Sequence, residues 1–459
     1  MNSPRDQKTL DPFLMEEVRK IVIPPEIRIT ASNKQGLHKA CDAINCVVAQ
    51  PCAKPRVAFL AASWTHGGVE RGLSTIFSEL VDTFEILLIT PQKDEKNHFP
   101  LPPEVKHFEI ASAWTDSFPD RMSALCQLAQ VKVAVNCVNI TDTARSMNES
   151  LTGNGVRVIS CNQENFFYPY LSSRHWAFVP IRMMALQAAD VVTWLTTTNT
   201  RVYSLYADNA VTLPHPVPQE LVKAAISRRE GKTVLSVGRF SDSIKRVDRL
   251  LRCFAEVLKE VPDADLVLAG AYDMNLRVPD TSKKSVAKLI KSLGIPRERL
   301  HFIGSCEDTR EYYEKACVFI LASDSEGQPM VLLEAEAHAV PCVVQDIPGI
   351  DDLIEDGVTG FIVPQDDEAA MGKAVAGLLR NPERSAKMGT RAKKRLEQYF
   401  IADICTKWKF LLSTLTEGYA GDSLKSRILE LFPRPDPVDD ALAKQIYDVM
   451  KRVGRKYEA

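Results

Sequence analysis

Short hydrophobic runs alternate with amphipathic stretches along most of the chain, beginning at Arg56. This alternation is typical of buried strands and crossover helices that build a parallel sheet. The strands predicted in the first half are Arg56–Ala62, Glu85–Ile89, Val131–Val135, Val156–Cys161 and Val191–Leu195. The pattern therefore indicates an α/β protein.

Closely spaced prolines between Leu213 and Gln219, followed by the polar stretch Ser227–Lys232, interrupt this pattern as a linker does. The alternation of hydrophobic and amphipathic stretches resumes after the linker, with the predicted strands Thr233–Val237, Asp265–Ala269, Leu300–Ile303, Val318–Leu321, Cys342–Val344 and Phe361–Val363. A chain of 459 residues also exceeds what one hydrophobic core usually organises. We therefore predict two doubly wound, Rossmann-like parallel-sheet domains, at residues 55–220 and 221–400, that face a cleft. Residues 1–54 form an N-terminal extension without an assigned role, and residues 401–459 form C-terminal helices.

The composition is that of an ordinary globular protein, with 45% hydrophobic and 25% charged residues and a net charge of -2. No strong positive field points to nucleic acid. The 11 cysteines lack the paired spacing of a metal or redox motif, so we expect reduced thiols. We find neither a signal-peptide core nor an apolar stretch long enough to span a bilayer. We expect a cytoplasmic protein, with at most peripheral membrane contact through the basic segment Lys444–Lys456.

The segment from Ser323 to Glu336 carries the first candidate site, because a predicted strand runs there into a helix whose predicted first residue is Pro329. Free amides at the start of a helix, together with the helix dipole, attract a diphosphate. The residues expected to contribute those amides are Gly327, Gln328, Met330 and Val331.

Glu326 and Glu334 flank the start of this helix, and their carboxylates suit the hydroxyl groups of a sugar and a ribose. Taken alone, Glu326 is more simply interpreted as a residue that favours the helix dipole, and Glu334 as a solvated helix residue. The context comes from a second loop, after the strand that ends at Val237, where Arg239 and Lys245 are placed to stabilise charge on a leaving phosphate. The alternative for these two cations is a solvated basic loop.

A third loop follows the first strand, where Gly67 and Gly68 allow close backbone approach and lead into a helix predicted from Val69. The alternative interpretation of this glycine pair is a simple turn without a ligand. His66 in the same loop is a candidate contact for the sugar or the acceptor. His215, between two prolines of the linker, is interpreted as structural.

Asp263 and Asp265 have the spacing of metal-binding carboxylates, but they immediately precede a predicted strand, so we interpret them as its start. Neither a second carboxylate nor a histidine cluster lies nearby in the sequence. We therefore predict no metal site.

The three loops resemble, in order and setting, motifs of the retaining glycosyltransferases of family 4, the group 1 transferases of GT-B fold. The resemblance covers about Arg56 to Leu415 and is strongest at Glu326 and Glu334, which match the family's pair of glutamates. Asp356–Val363 is similar to the strand-turn that usually follows.

By this resemblance Arg239 and Lys245 bind the donor diphosphate, Glu326 the donor sugar and Glu334 the ribose, while Gly67 and Gly68 lie beside the phosphates or acceptor. The resemblance implies a retaining transfer of a hexose or N-acetylhexosamine from a uridine or guanosine diphosphate sugar, with UDP favoured over GDP, and without a cofactor, metal or dedicated general base. It also implies that the helix after Ala402 crosses back onto the first domain. A glycan, a lipid-linked molecule, a protein or a small molecule are all open as acceptor.

Two features depart from the family. The strand that in many relatives ends in a histidine here continues into Asn162, Gln163 and Glu164, which are the candidate substitutes. The spacing between Arg239 and Lys245 is one residue longer than in many relatives, so Arg246 is an alternative to Lys245. The missing histidine keeps open a non-catalytic protein that binds nucleotide-sugars or acts as a scaffold.

Overall fold

The structure is a computed structural model, and it describes residues 22–23, 53–64, 67–91, 100–110, 118–138, 141–166, 178–229, 231–278, 284–306 and 308–446. Two separate sheets organise these residues into two α/β units. The fold class predicted from the hydrophobic pattern is confirmed.

The first sheet has eight strands in the order β1-β4-β3-β2-β5-β6-β7-β8. Their bounds are β1 Val22–Ile23, β2 Arg56–Leu60, β3 Glu85–Pro91, β4 Lys106–Ile110, β5 Val133–Asn136, β6 Arg157–Asn162, β7 Val191–Trp194 and β8 Ala210–Thr212. Strands β2 to β8 pair in parallel, whereas β1 joins the edge antiparallel to β4. Every residue of β2 and β5 is buried, as expected for strands with helices on both faces.

Helices cover both faces of this sheet. They are α1 Gly68–Leu80, α2 Phe118–Leu128, α3 Thr141–Gly153, α4 Phe178–Gln187 and α5 Thr197–Ser204. A short helix, α6 Gln219–Val222, lies in the connection to the second sheet.

The second sheet has six parallel strands in the order β11-β10-β9-β12-β13-β14. The strands are β9 Thr233–Val237, β10 Asp265–Ala269, β11 Leu300–Gly304, β12 Val318–Leu321, β13 Cys342–Gln345 and β14 Gly360–Val363. The helices of this unit are α7 Val247–Glu260, α8 Val286–Leu293, α9 Arg310–Lys315, α10 Met330–Ala337, α11 Glu368–Arg380 and α12 Pro382–Arg395. The order reverses direction beside β9, so the loops after β9 and β12 open at the switch point where doubly wound sheets bind ligands.

The chain then returns to the first domain through α13 Ile401–Thr416 and α14 Gly421–Ile428. Trp408 of α13 is buried, and its ring centroid lies 5.9 Å from that of Phe59 in β2. Residues 440–446 are helical, and Leu442 packs into the core on the opposite face of the same sheet. The C-terminal segment therefore fastens onto both faces of the first domain.

Among the residues that the structure describes, no helix is long and apolar enough to cross a membrane. The basic segment Lys444–Lys456 lies mostly outside the described residues.

Candidate functional site

A cleft of about 1140 Å³ separates the carboxyl ends of the two sheets. Its walls come from both domains and from the linker between them. The sequence-predicted residues that line this one cleft are Gly67, Gly68, Glu164, Arg239, Lys245, Glu326, Gly327, Gln328, Met330, Val331 and Glu334. His66 lies outside the described residues.

Helix α10 begins at Met330, and Pro329 precedes it in an extended conformation with ψ of 100°. The expectation that Pro329 is the first helical residue is therefore wrong by one position. The reason is local, because the first backbone bond of the helix runs from the Leu332 amide to the Pro329 carbonyl, which makes Pro329 the cap. The amides of Met330 and Val331 belong to the first turn, where a helix offers no acceptors for them.

Gly327, just before this helix, touches the opposite domain. A Cβ atom at this position would lie 2.1 Å from the carbonyl oxygen of Gln163 and 3.3 Å from Cα of Glu164. No side chain fits such a gap, so glycine lets the loop after β12 meet the loop after β6. The candidate diphosphate site thus sits where the two domains touch.

Lys245 and Glu326 form an ion pair in the cleft. The Lys245 ammonium donates to both carboxylate oxygens of Glu326, at 2.7 and 3.0 Å. Lys245 ends a 3₁₀ turn, Ser243–Lys245, which the side chain of Asp242 caps through the Ile244 amide. Arg239 is exposed at the start of the same loop and lines the same cleft. Lys245 is therefore paired with the predicted sugar-binding carboxylate, and Arg239 lines the same cleft.

Arg246 has a different role from the one considered for it. Its backbone is left-handed, with φ of 47°, and its guanidinium bonds to Asp248 at 2.8 Å and to Asp324 at 3.0 Å. Arg249 joins Asp324 as well, at 2.8 Å. This buried network fixes the loop after β12 against α7, so Arg246 is committed to the scaffold and does not replace Lys245.

Glu334 faces the cleft from the second turn of α10 and is almost completely buried. Its Oε1 pairs with Arg71 of α1, in the opposite domain, and its Oε2 accepts from the hydroxyl of Tyr313 at 2.8 Å. Burial raises the pKa of Glu334, while the charge of Arg71 and the Tyr313 hydroxyl act in the other direction. The carboxylate is held from two sides.

Arg71 and Tyr313 were not singled out in the sequence. A signal for Arg71 did exist, because it follows Gly68 by three positions in α1 and therefore shares its face of the helix. Nothing in the sequence marks Tyr313, whose position depends on how α9 packs against α10.

The first domain contributes Glu164 and His215 to the wall of the cleft. Burial raises the pKa of Glu164, and the charge of Arg182 opposes that rise. Burial lowers the pKa of His215 to about 4, so its ring is neutral at physiological pH. The His215 backbone amide donates to the Gln328 side chain at 2.7 Å, and its ring fills the space left by Gly72. His215 thus wedges the linker between α1 and the start of α10, which agrees with a structural role.

Asp265 is the first residue of β10, as predicted. It contacts His301 at 3.2 Å and Arg299 at 3.5 Å, while Asp263 pairs with Lys232 at 2.7 Å. Within the described ranges, no group of three or more histidine, cysteine or acidic residues is arranged to hold a metal ion.

Residues 219–395 match the family "Glycosyl transferases group 1". An uncharacterized glycosyltransferase of Haemophilus influenzae is 29% identical over 50% of this chain, and the match spans 63% of that relative. A GalNAc-α-(1→4)-GalNAc-α-(1→3)-diNAcBac-PP-undecaprenol α-1,4-N-acetyl-D-galactosaminyltransferase of Campylobacter jejuni is 26% identical over 78% of this chain and 98% of its own length.

The solved structures that resemble the chain share its architecture at low identity. Sucrose-phosphate synthase from Thermosynechococcus elongatus aligns with a TM-score of 0.69 at 16% identity, covering 80% of this chain and all of that one. Anabaena Alr3699/HepE, in complex with UDP, aligns with a TM-score of 0.63 at 15% identity, covering 78% and 100%. The two parallel-sheet domains therefore share the GT-B fold of these structures, and the stretch that matches the group 1 glycosyl transferases carries the helix and loops that line the second domain's side of the cleft.

Proposed function

We propose that this protein is a retaining glycosyltransferase that moves a hexose or N-acetylhexosamine from a nucleoside-diphosphate sugar to an acceptor hydroxyl. One observation carries the proposal. The start of α10, the Lys245–Glu326 pair and Arg239 line the same interdomain cleft. Fold alone does not imply an activity, so the proposal rests on this site.

The diphosphate is proposed to lie at the start of α10. There the amides of Met330 and Val331 are free of helical acceptors, and the helix dipole favours negative charge. Arg239 and Lys245 add two cations from the loop after β9. These groups match a pyrophosphate in charge and in hydrogen-bond capacity.

The sugar is proposed to contact Glu326. In the described state Lys245 neutralises this carboxylate, whose side chain is only 11% exposed. When a diphosphate arrives, the Lys245 ammonium has donors for a phosphate oxygen as well as for Glu326, because it carries three N–H groups. The carboxylate oxygens then have capacity to accept from sugar hydroxyls.

During transfer, the bond between the anomeric carbon and the phosphate oxygen breaks, and its electron pair leaves with the nucleoside diphosphate. The acceptor oxygen forms the new glycosidic bond on the same face of the sugar, and its proton passes to the departing phosphate oxygen. Charge therefore grows on the phosphate, where Arg239, Lys245 and the helix amides stabilise it most in the transition state. With these groups in place, the proposed reaction needs neither a metal nor a cofactor.

Uridine diphosphate is the proposed nucleotide, and the UDP complex of Anabaena HepE supports this choice. For the acceptor we favour a glycan or a lipid-linked saccharide, because the Campylobacter relative is named for a saccharide linked to undecaprenol through a diphosphate. Such an acceptor would place the protein in the cytoplasm with peripheral contact to the membrane.

A second candidate is a protein of this fold that binds nucleotide-sugars without catalysis. The end of β6 and the loop after it favour this candidate, because Asn162, Gln163 and Glu164 stand where the family resemblance implies a histidine. Here the Gln163 carbonyl packs against Gly327.

The test is a panel of nucleotide-sugars in which release of free UDP or GDP is followed, with water as the fallback acceptor. We expect one donor to turn over, and Glu326→Gln to lower that rate roughly 100-fold, as for loss of a hydrogen bond to the reacting group. The matched control is Glu383→Gln, because Glu383 also pairs with a lysine at 2.7 Å but is 79% exposed on α12.

Unchanged release by Glu326→Gln would contradict the assigned role of Glu326. Donor binding without release from any nucleotide-sugar would favour the non-catalytic candidate. Absence of both binding and release would contradict both candidates.

A further inference from the structure

An ion pair joins the two domains across the cleft. Arg71 reaches from α1 in the first domain, and its Nη1 contacts Oε1 of Glu334 on α10 in the second domain. Gly68, one turn earlier in α1, lies against Met330 of α10, with 3.5 Å between the Cβ position of Gly68 and Cγ of Met330. The faces of α1 and α10 thus meet where the nucleotide is proposed to bind.

The Glu334 carboxylate needs hydrogen-bonding and charged partners to stay ionised, because its side chain is only 8% exposed to solvent. An ionised carboxylate that is buried without a partner takes up a proton instead. Tyr313 supplies one hydroxyl to Oε2, and Arg71 supplies the compensating charge at Oε1. The Tyr313 ring also stacks on His338, with centroids 5.6 Å apart, which fixes the direction of its hydroxyl.

Both partners leave room for a ligand. A carboxylate has about four lone-pair positions, of which Arg71 and Tyr313 occupy two. Arg71 has a 35% exposed side chain that lines the cleft, and a guanidinium carries five N–H donors. Arg71 can therefore hold Glu334 in place while the remaining lone pairs of that carboxylate accept from a vicinal diol.

We propose that Arg71 is a positioning residue for the ribose of the donor, which keeps Glu334 ionised and aimed at the ribose hydroxyls from the opposite domain. This inference rests on the proposed function, in which Glu334 binds the ribose. Ribose recognition then requires both domains, because Arg71 belongs to the first domain and the Glu334 carboxylate that it positions belongs to the second. Nucleotide affinity therefore depends on the contact between the two domains.

The test compares UDP with 2′,3′-dideoxy-UDP, which lacks the two ribose hydroxyls, by isothermal titration of the full-length protein. The variants are Arg71→Met and Arg71→Lys. The matched control is Arg145→Met, because Arg145 lies on a helix of the same domain, is 36% exposed and pairs with Glu149 of its own helix. Circular dichroism and thermal unfolding establish that each variant is folded.

In the wild type and in Arg145→Met we expect UDP to bind roughly tenfold more tightly than the dideoxy analogue, as for hydrogen bonds to a charged group. In Arg71→Met we expect this ratio to fall to about threefold or less, while affinity for the analogue changes little. Arg71→Lys keeps the charge and is expected to restore part of the ratio.

A purely structural role, or direct binding of Arg71 to the phosphates, would weaken UDP and the analogue equally and leave the ratio unchanged, which would overturn the inference. An unchanged ratio with UDP still bound leaves the proposed function standing. Wild-type protein that binds neither UDP nor GDP would contradict the proposed function itself, and this inference with it.

Discussion

Carboxylates on and beside α10 differ in how their charge is compensated. Glu326 has Lys245, and Glu334 has Arg71 from the other domain. Glu336 is fully buried, and neither of its carboxylate oxygens has a hydrogen-bond partner within the part of the chain that the structure describes. The two carboxylates that line the cleft therefore each have a cation that balances their charge, whereas Glu336 lies in the protein interior.

Burial raises the pKa of Glu336 well above its usual range, and the charge of Arg395 opposes this rise. The folded protein therefore keeps this proton at pH values where the unfolded chain has lost it. The contribution of Glu336 to stability is complete below pH 4.5, the ordinary value for glutamate, and is lost as pH rises through the folded-state pKa.

We expect Glu336→Gln to increase the free energy of unfolding at pH 8 by about 1–3 kcal/mol, because it removes the need to bury or protonate a charge. The gain should shrink toward pH 5. Urea denaturation at several pH values measures it, with the exposed Glu311→Gln as control. Stability at pH 8 that equals or falls below the wild-type value would show that Glu336 is stabilised by its surroundings.

The candidate site residues that belong to a single domain could be identified from the sequence. Arg239, Lys245 and Glu326 follow strands of one sheet, and the carboxyl ends of parallel strands meet at one edge. Arg71 was not identified, because its contact with Glu334 depends on how two independently built domains face each other. The structural role of Arg246 was not predicted either, because the left-handed backbone conformation of an arginine has no sequence signature.

At the scale of elements, the glycine before α10 sets how closely the domains approach. The Gly327 backbone packs against the Gln163 carbonyl, and an added Cβ would stand 2.1 Å from that oxygen. Backbone cannot move aside as a flexible side chain does. The loop after β12 and the loop after β6 therefore have to separate if Gly327 gains a side chain.

We expect Gly327→Ala to lower kcat/KM for the donor by roughly tenfold or more, because displacement of reacting groups by about 1 Å has large effects on rate. Each domain should stay folded, since the clash lies between them. The control is Gly377→Ala, because an added Cβ meets nothing within 4 Å at this position in the last turn of α11. Steady-state kinetics and circular dichroism measure both variants. Full activity of Gly327→Ala would contradict the close contact.

Most strands were predictable because buried strands of parallel sheets are continuously apolar. Two were not. The strand Lys106–Ile110 mixes charged and apolar residues because it lies near the edge of the sheet, where its outer neighbour is the two-residue β1. The strand Ala210–Thr212 has only three residues and directly precedes the prolines of the linker, so it gives no clear hydrophobic run. Helix α10 was placed correctly apart from its first residue, because Pro329 suits both the cap and the first helical position.

For the whole molecule, contacts on several sides of the cleft join the domains. Asn165 donates to the Pro348 carbonyl at 2.8 Å, and the Thr197 amide donates to Asp352 at 2.5 Å. Farther along the chain, Gln445 of the C-terminal segment donates to Asp346 at 2.8 Å. The sequence predicted two domains and a cleft between them. It did not predict these contacts, which require the relative orientation of the sheets.

The cleft is proposed to bind a nucleoside diphosphate at the start of α10. The most direct measurement is a crystal structure of the protein grown with UDP, or with GDP if titration shows it to bind more tightly. We predict that the β-phosphate lies within hydrogen-bond distance of the Met330 and Val331 amides and of Arg239 and Lys245, with the ribose at Glu334. A nucleotide bound away from α10, or phosphates that contact neither cation, would contradict the account.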